Sequence, residues 1–453
     1  MLELRPYQEG VVEAWIKGEC GYLALDAGLG KSRIAIEIAI RTGAKNVLII
    51  CPASVKLAWI AEIQKWWREA RYHAPQTLDQ IGAFEAFRGR CLFTIVNYDK
   101  LSRGEDVAKK LAKTGPFSIM VLDEAHFTKN FDAKRTRNIF RHLAPVCERI
   151  LPMSATPMTR DAADLYAPLR YMKPEAIADR HGHLMTLHAF QDAFCHVEQR
   201  RFNGRTVRVV TGSRNLAELR SRMGSFFMRL TKKECLPELP PMQFEILPIG
   251  IDRDVATALA AAVGDIDVAK VDPEVAEFDA HISRAMREIG VAKARPAAQW
   301  VKDFLEGTDE KVVLWARHHD VIDALARELA HANPAIIDGR VDQRGRAAAV
   351  KSFLTDDACR VFIGQIASAG TGLTLLTDKV QPRTVLFVDS SWSPSENYQA
   401  ASRVHRLGQR DGVIVYSLVA QGVPLDRHIQ TVLTRKSLEF AEIMDREGDA
   451  VCQ

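Results

Sequence analysis

Cysteine is sparse and never paired in motif form. The eight residues stand at positions 20, 51, 91, 147, 195, 235, 359 and 452, with no CxxC. That excludes a zinc ribbon or a thioredoxin-like motif, and no structural zinc is expected. Thiols inside apolar runs, such as Cys51 in VLIICP, behave as small buried hydrophobes and suit a reducing compartment. No apolar stretch is long enough to span a bilayer, and MLELRPYQEG lacks the pattern of a signal peptide. A soluble, cytoplasmic protein without membrane partners is expected. An excess of one charge is also missing: 61 Lys and Arg face 57 Asp and Glu, a net +4. So small an excess neither requires nor excludes a polyanionic partner, because local clustering sets the field. Low-complexity tracts and fixed-period repeats are absent too, which argues against solenoids and disordered chains.

What is present is an α/β pattern. A chain of 453 residues is too long for one core, so two or more are expected. Short β-branched runs recur at 47–51, 93–96, 119–122, 312–315, 361–363, 385–388 and 413–419, with helix-like segments such as 58–67 and 321–329 between them. Strands alternating with helices indicate parallel sheets covered on both faces. The runs form two clusters, which predicts two lobes, at 1–160 and 306–435. The middle reads as helical insertions at 161–235 and 250–305, joined by a proline-rich linker at 236–249 (LPELPPMQ), with a fraying tail at 436–453. The pattern Leu216-Leu219-Met223-Phe226-Phe227 is read as helical.

Three local motifs point to phosphate chemistry. A strand at 23–27 leads into Gly28-Leu29-Gly30-Lys31-Ser32 and then a helical run. Glycines let backbone amides turn toward a phosphate, Lys31 brings charge to the β/γ end, and Ser32 can hold Mg²⁺. The strict GxxxxGK[ST] pattern fails, because Leu25 occupies its first glycine position. The buried-strand run 118–122 ends in Asp123-Glu124-Ala125-His126. Carboxylates at the C-terminal end of a parallel strand sit where ligands bind. Asp123 suits Mg²⁺ and Glu124 the attacking water. Ser154-Ala155-Thr156-Pro157 is a turn of small hydroxyl residues able to relay the state of a nucleotide.

The order RPYQEGV, GLGKS, CPASVKLAW, VNYDKL, DEAH, LPMSATP, MRLTKKECLPELPP, IDG, GQIASAGTGLTL and QAASRVHRLGQ resembles the Swi/Snf-type DNA translocases of helicase superfamily 2, over roughly residues 3–435. The resemblance implies two RecA-like parallel-sheet lobes of the P-loop NTPase class, ATP and Mg²⁺ as ligands, and duplex DNA as partner. By motif position, Gln8 would read adenine with Arg5 and Tyr7 nearby. Gln399, Arg403 and Arg406 would reach the nucleotide, the arginines stabilising transition-state charge. Gly372 belongs with the nucleotide set, and Ser368, Gly370 and Thr371 with DNA. Two departures stand out: Ala401-Ser402 where the family has acidic residues, and Asp26-Ala27 where an acidic-Met pair is common. A compact motor without accessory domains is expected, in a bacterial or virus-infected cell, with specificity supplied by a protein partner or a DNA structure.

DNA contact needs phosphate neutralisation. The first-lobe candidates are the backbone around Pro52, Ala53 and Ser54 and around Asn97 and Tyr98, with Lys129 and Lys232 from two basic clusters. Lys134, Arg137 and Arg141 share one predicted helical face, and Arg229 and Lys233 flank Lys232. Trp392 is assigned to core packing. His181, His183, His188, Cys195 and His196 cluster without any common zinc spacing. The expected activity is duplex-stimulated ATP hydrolysis coupled to stepping or remodelling. The rivals are a strand-separating or annealing, fork-remodelling helicase, and an ATP-gated clamp that does not travel.

Overall fold

The computed structural model describes residues 3–75, 80, 91–202, 205–263, 280–369 and 373–444. The expected tail beyond 444 and the positions Gly370, Thr371 and Gly372 lie outside these residues. Chain packing divides the molecule into two units. One comprises residues 1–199, 212–235 and 439–453, the other 200–211 and 236–438.

The first unit is built on seven parallel strands. They are β1 (Tyr22–Leu25), β2 (Asn46–Cys51), β3 (Arg71–His73), β4 (Leu92–Asn97), β5 (Phe117–Asp123), β6 (Cys147–Met153) and, after the β7 (Cys195–Phe202) and β8 (Arg205–Ser213) pair, β9 (Phe227–Leu230). Their order is β3-β4-β2-β5-β6-β1-β9. β1 is buried throughout, as a strand covered on both faces must be. The order sets the site: β6 lies between β5 and β1, so the loop after β6 stands between the loops that follow the other two.

The second unit carries β10 (Met242–Ile249), β11 (Val312–Ala316), β12 (Ala335–Ile337), β13 (Val361–Gln365), β14 (Thr384–Phe387) and β15 (Val413–Ala420), in the order β10-β15-β14-β11-β13-β12. Every described pairing in both sheets is parallel. The helix Ala280–Gly307 packs its small face (Ala294, Ala297, Ala298, Val301) on this sheet. Its Lys293 is buried, with Nζ 3.0 Å from Asp426 Oδ2 and 2.9 Å from the Leu418 carbonyl. Trp392 packs with Ile289, Val423, Leu425 and Ile429 in a separate core.

Two helix-to-strand junctions of this unit exchange cations. Arg360, just before β13, donates to the carbonyls of Leu305 (2.9 Å), Thr308 and Glu310 at the end of the Ala280–Gly307 helix, before β11. Lys311, just before β11, donates to Phe353 (2.6 Å), Asp356 (2.6 Å) and Cys359 (3.0 Å) at the end of the helix Gln343–Thr355, before β13. A cation at a helix C-terminus satisfies carbonyls that have no partner within the helix.

The middle of the chain differs from expectation. Residues 161–235, read as helical, also contain the β7 and β8 strands, and β9 belongs to the main sheet. The helix Leu216–Met223 stops at Gly224, so Phe227 is a strand residue. Apolar spacing alone cannot separate a short helix followed by a strand from a longer helix. Half of the expected linker is β10, paired with β15 over its whole length. Pro237, Pro240 and Pro241 precede this edge strand, and only Pro248 lies in it, where a missing amide costs little.

Candidate functional site

β1 ends at Leu25, whose side chain is fully buried in the sheet. The position that is glycine in the strict pattern is therefore still strand here, and the turn occupies 26–30. The helix Lys31–Arg41 follows, with Gly30 at its N-cap in the left-handed region (φ 80°) and no side-chain cap. Its first-turn amides thus face outward without an acceptor from a capping side chain, the arrangement that receives an anion. Glycine is favoured at position 30 by its backbone φ, and a side chain there would displace the tip of Gln8, whose Nε2 would lie 2.5 Å from an added Cβ. Lys31 Nζ donates to the carbonyls of Leu25 (2.9 Å) and Asp26 (3.2 Å), and Ser32 follows it in the helix. Tyr7 Oη and Gln8 Nε2 both donate to the Leu29 carbonyl at 3.2 Å, while Gln8 Oε1 accepts the Arg5 amide at 3.1 Å. Arg5, Tyr7 and Gln8 therefore assemble against the glycine loop.

Asp123 closes β5, and both its oxygens are engaged. Oδ2 accepts Trp59 Nε1 at 2.8 Å and Oδ1 accepts the Glu124 amide at 3.1 Å. Burial and the neighbouring Glu124 carboxylate raise Asp123 to about 6, against the pull of Trp59 and Lys31. Glu124 is a non-glycine residue at φ 51°, strain of the kind that gathers at functional sites. Its Oε2 accepts Ser154 Oγ at 3.2 Å and lies 3.3 Å from His126 Nδ1, which is 2.9 Å from Ser154 Oγ. Ser154 also accepts the Thr156 amide (3.0 Å), and its own amide binds the Leu23 carbonyl of β1 (3.1 Å). DEAH and SATP are thus one hydrogen-bonded unit anchored to the strand that carries the glycine loop.

The first-unit DNA candidates divide. Pro52 is buried, while Ala53 and Ser54 are exposed on a short turn after β2. Asn97 is half-buried at the end of β4, and Tyr98 is buried, its hydroxyl donating to the Asp123 carbonyl (2.9 Å) and its ring stacked on Phe127. Lys129 Nζ bonds Thr159 Oγ1 and lies 3.4 Å from buried Asp164. Lys232 is buried, and its amide donates to Asp26 Oδ2 at 2.9 Å. Burial alone would push Asp26 up, but Arg229, paired with it at 2.7 Å, and Lys232 hold it below its usual range. The second basic cluster is therefore largely internal; exposed cations near DEAH include Lys134, Arg137 and Arg141.

In the second unit, Gln399 and Arg403 are buried on and just after the helix Pro394–Ala401. Arg403 Nε donates to the Gln399 carbonyl (3.0 Å) and Nη1 to the Leu373 carbonyl (3.2 Å). Arg406, half-buried, donates to the Ser402 carbonyl (3.1 Å) and Thr374 Oγ1 (2.7 Å). Both arginines therefore grip the stretch that follows Gly370-Thr371-Gly372. Ala401 and Ser402 are fully buried, where a carboxylate would need a partner. Ser368 Oγ donates to Gln365 Oε1 (2.6 Å), which also accepts the Gly339 amide (2.9 Å). Sequence reasoning missed Gln365, Trp59 and Asp164; each lies in or beside a recognised motif, but only its partners reveal its role. Among the described residues no three His, Cys, Asp or Glu side chains gather as a metal site requires, and His183 pairs instead with Asp179 at 3.5 Å. No helix among them is long and apolar enough to cross a membrane.

Comparison with known proteins adds the family. Residues 7–277 match the model of the SNF2-related domain, and residues 296–408 that of the helicase conserved C-terminal domain. The SWI/SNF-related matrix-associated actin-dependent regulator of chromatin subfamily A-like protein 1 of Xenopus tropicalis is 30% identical over 432 residues, covering 93% of this chain and 43% of that protein. The DNA annealing helicase and endonuclease ZRANB3 of Mus musculus is 26% identical over 446 residues, covering 96% of this chain and 40% of that protein. Among solved structures, the Sulfolobus solfataricus SWI2/SNF2 ATPase core in complex with dsDNA aligns with 98% of this chain and 97% of that one, at 18% identity and a TM-score of 0.43. The chain spans about two fifths of the length of the two relatives named first. Its two parallel sheets with flanking helices are RecA-like lobes of the P-loop type, and the chain belongs to the SNF2-related family of helicase superfamily 2.

Proposed function

We propose that the chain is an ATP-dependent double-stranded DNA translocase, coupling DNA-stimulated ATP hydrolysis to stepping or remodelling of DNA or of complexes bound to it. The observation that carries this reading is the Glu124–Ser154–His126 cluster, tied through the Ser154 amide to β1 beneath the glycine loop. A residue suited to orient water is there bonded to a turn that can report on the phosphate loop. ATP is the substrate: the amides at the start of the Lys31–Arg41 helix and the Lys31 ammonium receive its phosphates. The donor set fits Mg²⁺, since Asp123 is raised by burial and by the adjacent Glu124 carboxylate, both of which a dication offsets. Ser32 and Asp123 would hold the ion, which supplies charge to the phosphate oxygens.

In this reading Glu124 orients the attacking water, and Ser154 fixes the Glu124 carboxylate. Trp59 and Tyr98 brace Asp123 through its side chain and its carbonyl. By motif position, Gln399, Arg403, Arg406 and Gly372 are the nucleotide-binding candidates of the second unit. Pro52, Ala53, Ser54, Asn97, Ser368, Gly370 and Thr371 form the DNA-tracking set through backbone and hydroxyl groups. Tyr98, Lys129 and Lys232 act as supports beneath that surface, because their polar groups face the interior. We place the protein in the cytoplasm, with a DNA structure or a protein partner supplying specificity.

The test is steady-state ATPase activity with no nucleic acid, single-stranded DNA, duplex DNA or RNA. Strong stimulation by duplex, with triplex displacement from the same DNA, is the expected result. Stimulation by single strands alone would overturn it in favour of a strand-separating helicase, and duplex binding without displacement would leave a clamp. Annealing or fork remodelling is the second reading, favoured by the likeness to ZRANB3, a DNA annealing helicase and endonuclease; re-pairing of complementary strands on a stalled-fork substrate tests it.

A further inference from the structure

Lys129 and Lys232 are held inside the first unit, so a DNA surface there needs its positive charge from other residues. One ammonium of this unit stands out by what it lacks. Lys56 opens the helix Lys56–Trp66 and is 8% exposed, and its buried Nζ has no hydrogen-bond partner. A buried charge without a partner is costly, and folded chains pair nearly all of theirs. Lys31, Lys129, Lys293 and Lys311, by contrast, each end on an acceptor. Lys56 is therefore a cation whose counter-charge does not come from the chain.

Its place in the fold narrows what the missing partner is. Lys56 follows β2 after the short turn Ala53–Val55, and β2 pairs with β4 up to Cys51 and Asn97 at their C-terminal ends. Ligands bind at that edge of a parallel sheet. The nucleotide loops follow β1, β5 and β6, whereas β2 and β4 lie on the other side of β5. The helix Tyr98–Arg103, directly after β4, adds half-buried Lys100 and exposed Arg103. Lys100 donates to the Pro75 carbonyl. Burial, then Lys56, then Arg103 push its ammonium down, so the three cations act on one another. Burial likewise pushes Lys56 down, with the Cys51 thiol acting the other way. Carboxylates nearby are engaged elsewhere: Asp123 with Trp59 and the Glu124 amide, and Glu105 with Lys109 at 2.7 Å.

We propose that Lys56, Lys100 and Arg103 form a receiving cluster for a backbone phosphate of DNA, which supplies the counter-charge that Lys56 lacks. The inference rests on the reading of the chain as a DNA translocase and assigns that reading its cations on the first unit. A phosphodiester fits because it carries charge, only accepts hydrogen bonds, and lends affinity without sequence preference. Lysine suits the buried position, since its flexible stem lets Nζ turn toward an arriving oxygen, while the Arg103 fork grips from the surface. The DNA-free chain thus carries an unpaired charge that destabilises it, and DNA relieves that strain on binding.

The test reads stability and DNA affinity on the same variants of the full chain. Lys56→Met keeps the length of the stem and removes the charge. Its thermal midpoint without DNA should rise by about 2 to 4 °C, because an unpaired ammonium has left the interior. Its affinity for a fluorescent duplex, followed by anisotropy from about 50 to 200 mM salt, should fall about tenfold. The plot of log affinity against log salt should become shallower by about one. Arg103→Gln should lower that slope by about one with the midpoint unchanged, and joining both to Lys100→Gln should remove roughly two to three. Should the triple variant unfold early, the two single substitutions carry the comparison. A lysine that only packs its stem would give the opposite pattern, a lower midpoint with affinity and slope untouched. Either a midpoint that does not rise in Lys56→Met, or affinity and slope unchanged in both single variants, would overturn the cluster and leave the translocase reading intact. Failure of the unaltered chain to bind duplex would instead remove the translocase reading, and the cluster with it.

Discussion

Lys31 and Glu124 both border the glycine loop, yet their removal should have different effects. On the proposed reading Lys31→Ala removes the charge that would meet the phosphates, so nucleotide affinity and turnover should both collapse. Glu124→Gln keeps the shape and loses the base; turnover should fall by about 10² to 10⁴ while nucleotide binding survives. Equilibrium binding of a fluorescent nucleotide beside single-turnover hydrolysis separates the two. Asp164 gives a prediction in pH. Burial alone would raise it, but Lys129, Arg160 and the bonds from Thr159 hold it far below the usual carboxylate range. A depressed acid stabilises the fold above its unfolded value and loses that contribution as pH falls toward its folded one. Asp164→Asn should therefore cost about 3 kcal/mol at pH 7, and the gap from the parent should shrink below about pH 4. Denaturant unfolding across that range measures it. At this scale the sequence made the chemistry legible: glycine, lysine and paired carboxylates announce themselves by type and spacing. It did not show that Lys129 and Lys232 face inward, because a lysine reads the same whether it meets a phosphate or a buried aspartate.

Among elements, the helix Ala280–Gly307 depends on a single buried cation. Lys293 is held by Asp426 and the Leu418 carbonyl, so Lys293→Ala leaves Asp426 charged and unpaired in the core. The cost should be about 3 to 5 kcal/mol of unfolding free energy, while Lys293→Met with Asp426→Leu should recover most of it. Chemical denaturation of the three proteins decides. The strands of both sheets were readable wherever β-branched residues run together, as at 47–51 or 361–363. The β7 and β8 strands were not, because CHVEQRRF and RTVRVVTGS mix charge among the apolar residues and blur the alternation. β10 was hidden by prolines, which mark an edge strand as readily as a linker.

At the scale of the whole molecule, charge and DNA are linked through salt. A net charge of +4 gives no strong overall attraction, so on the proposed reading duplex binding comes from local contacts, each releasing counterions. The duplex-stimulated part of the ATPase rate at subsaturating DNA should fall steeply between about 50 and 200 mM salt. The DNA-free rate should change little, since it releases no counterions from DNA. Parallel rate measurements with and without duplex check this. The two-lobe plan was legible from two clusters of strand runs and from motifs in fixed order. The placement of their loops was not, because it follows from sheet order, and sheet order is set by pairings between residues far apart in the chain.

The exchanged cations at Arg360 and Lys311 bear on how this unit forms. Each helix end is completed by a residue that begins the strand following the other helix, so neither helix–strand pair can finish alone. Such a reciprocal handshake ties two segments, joined by contacts 42 to 55 residues apart in sequence, into one cooperative step. A chain emerging from the ribosome would hold its first helix–strand pair incomplete until Arg360 is synthesised, and would then close both junctions together.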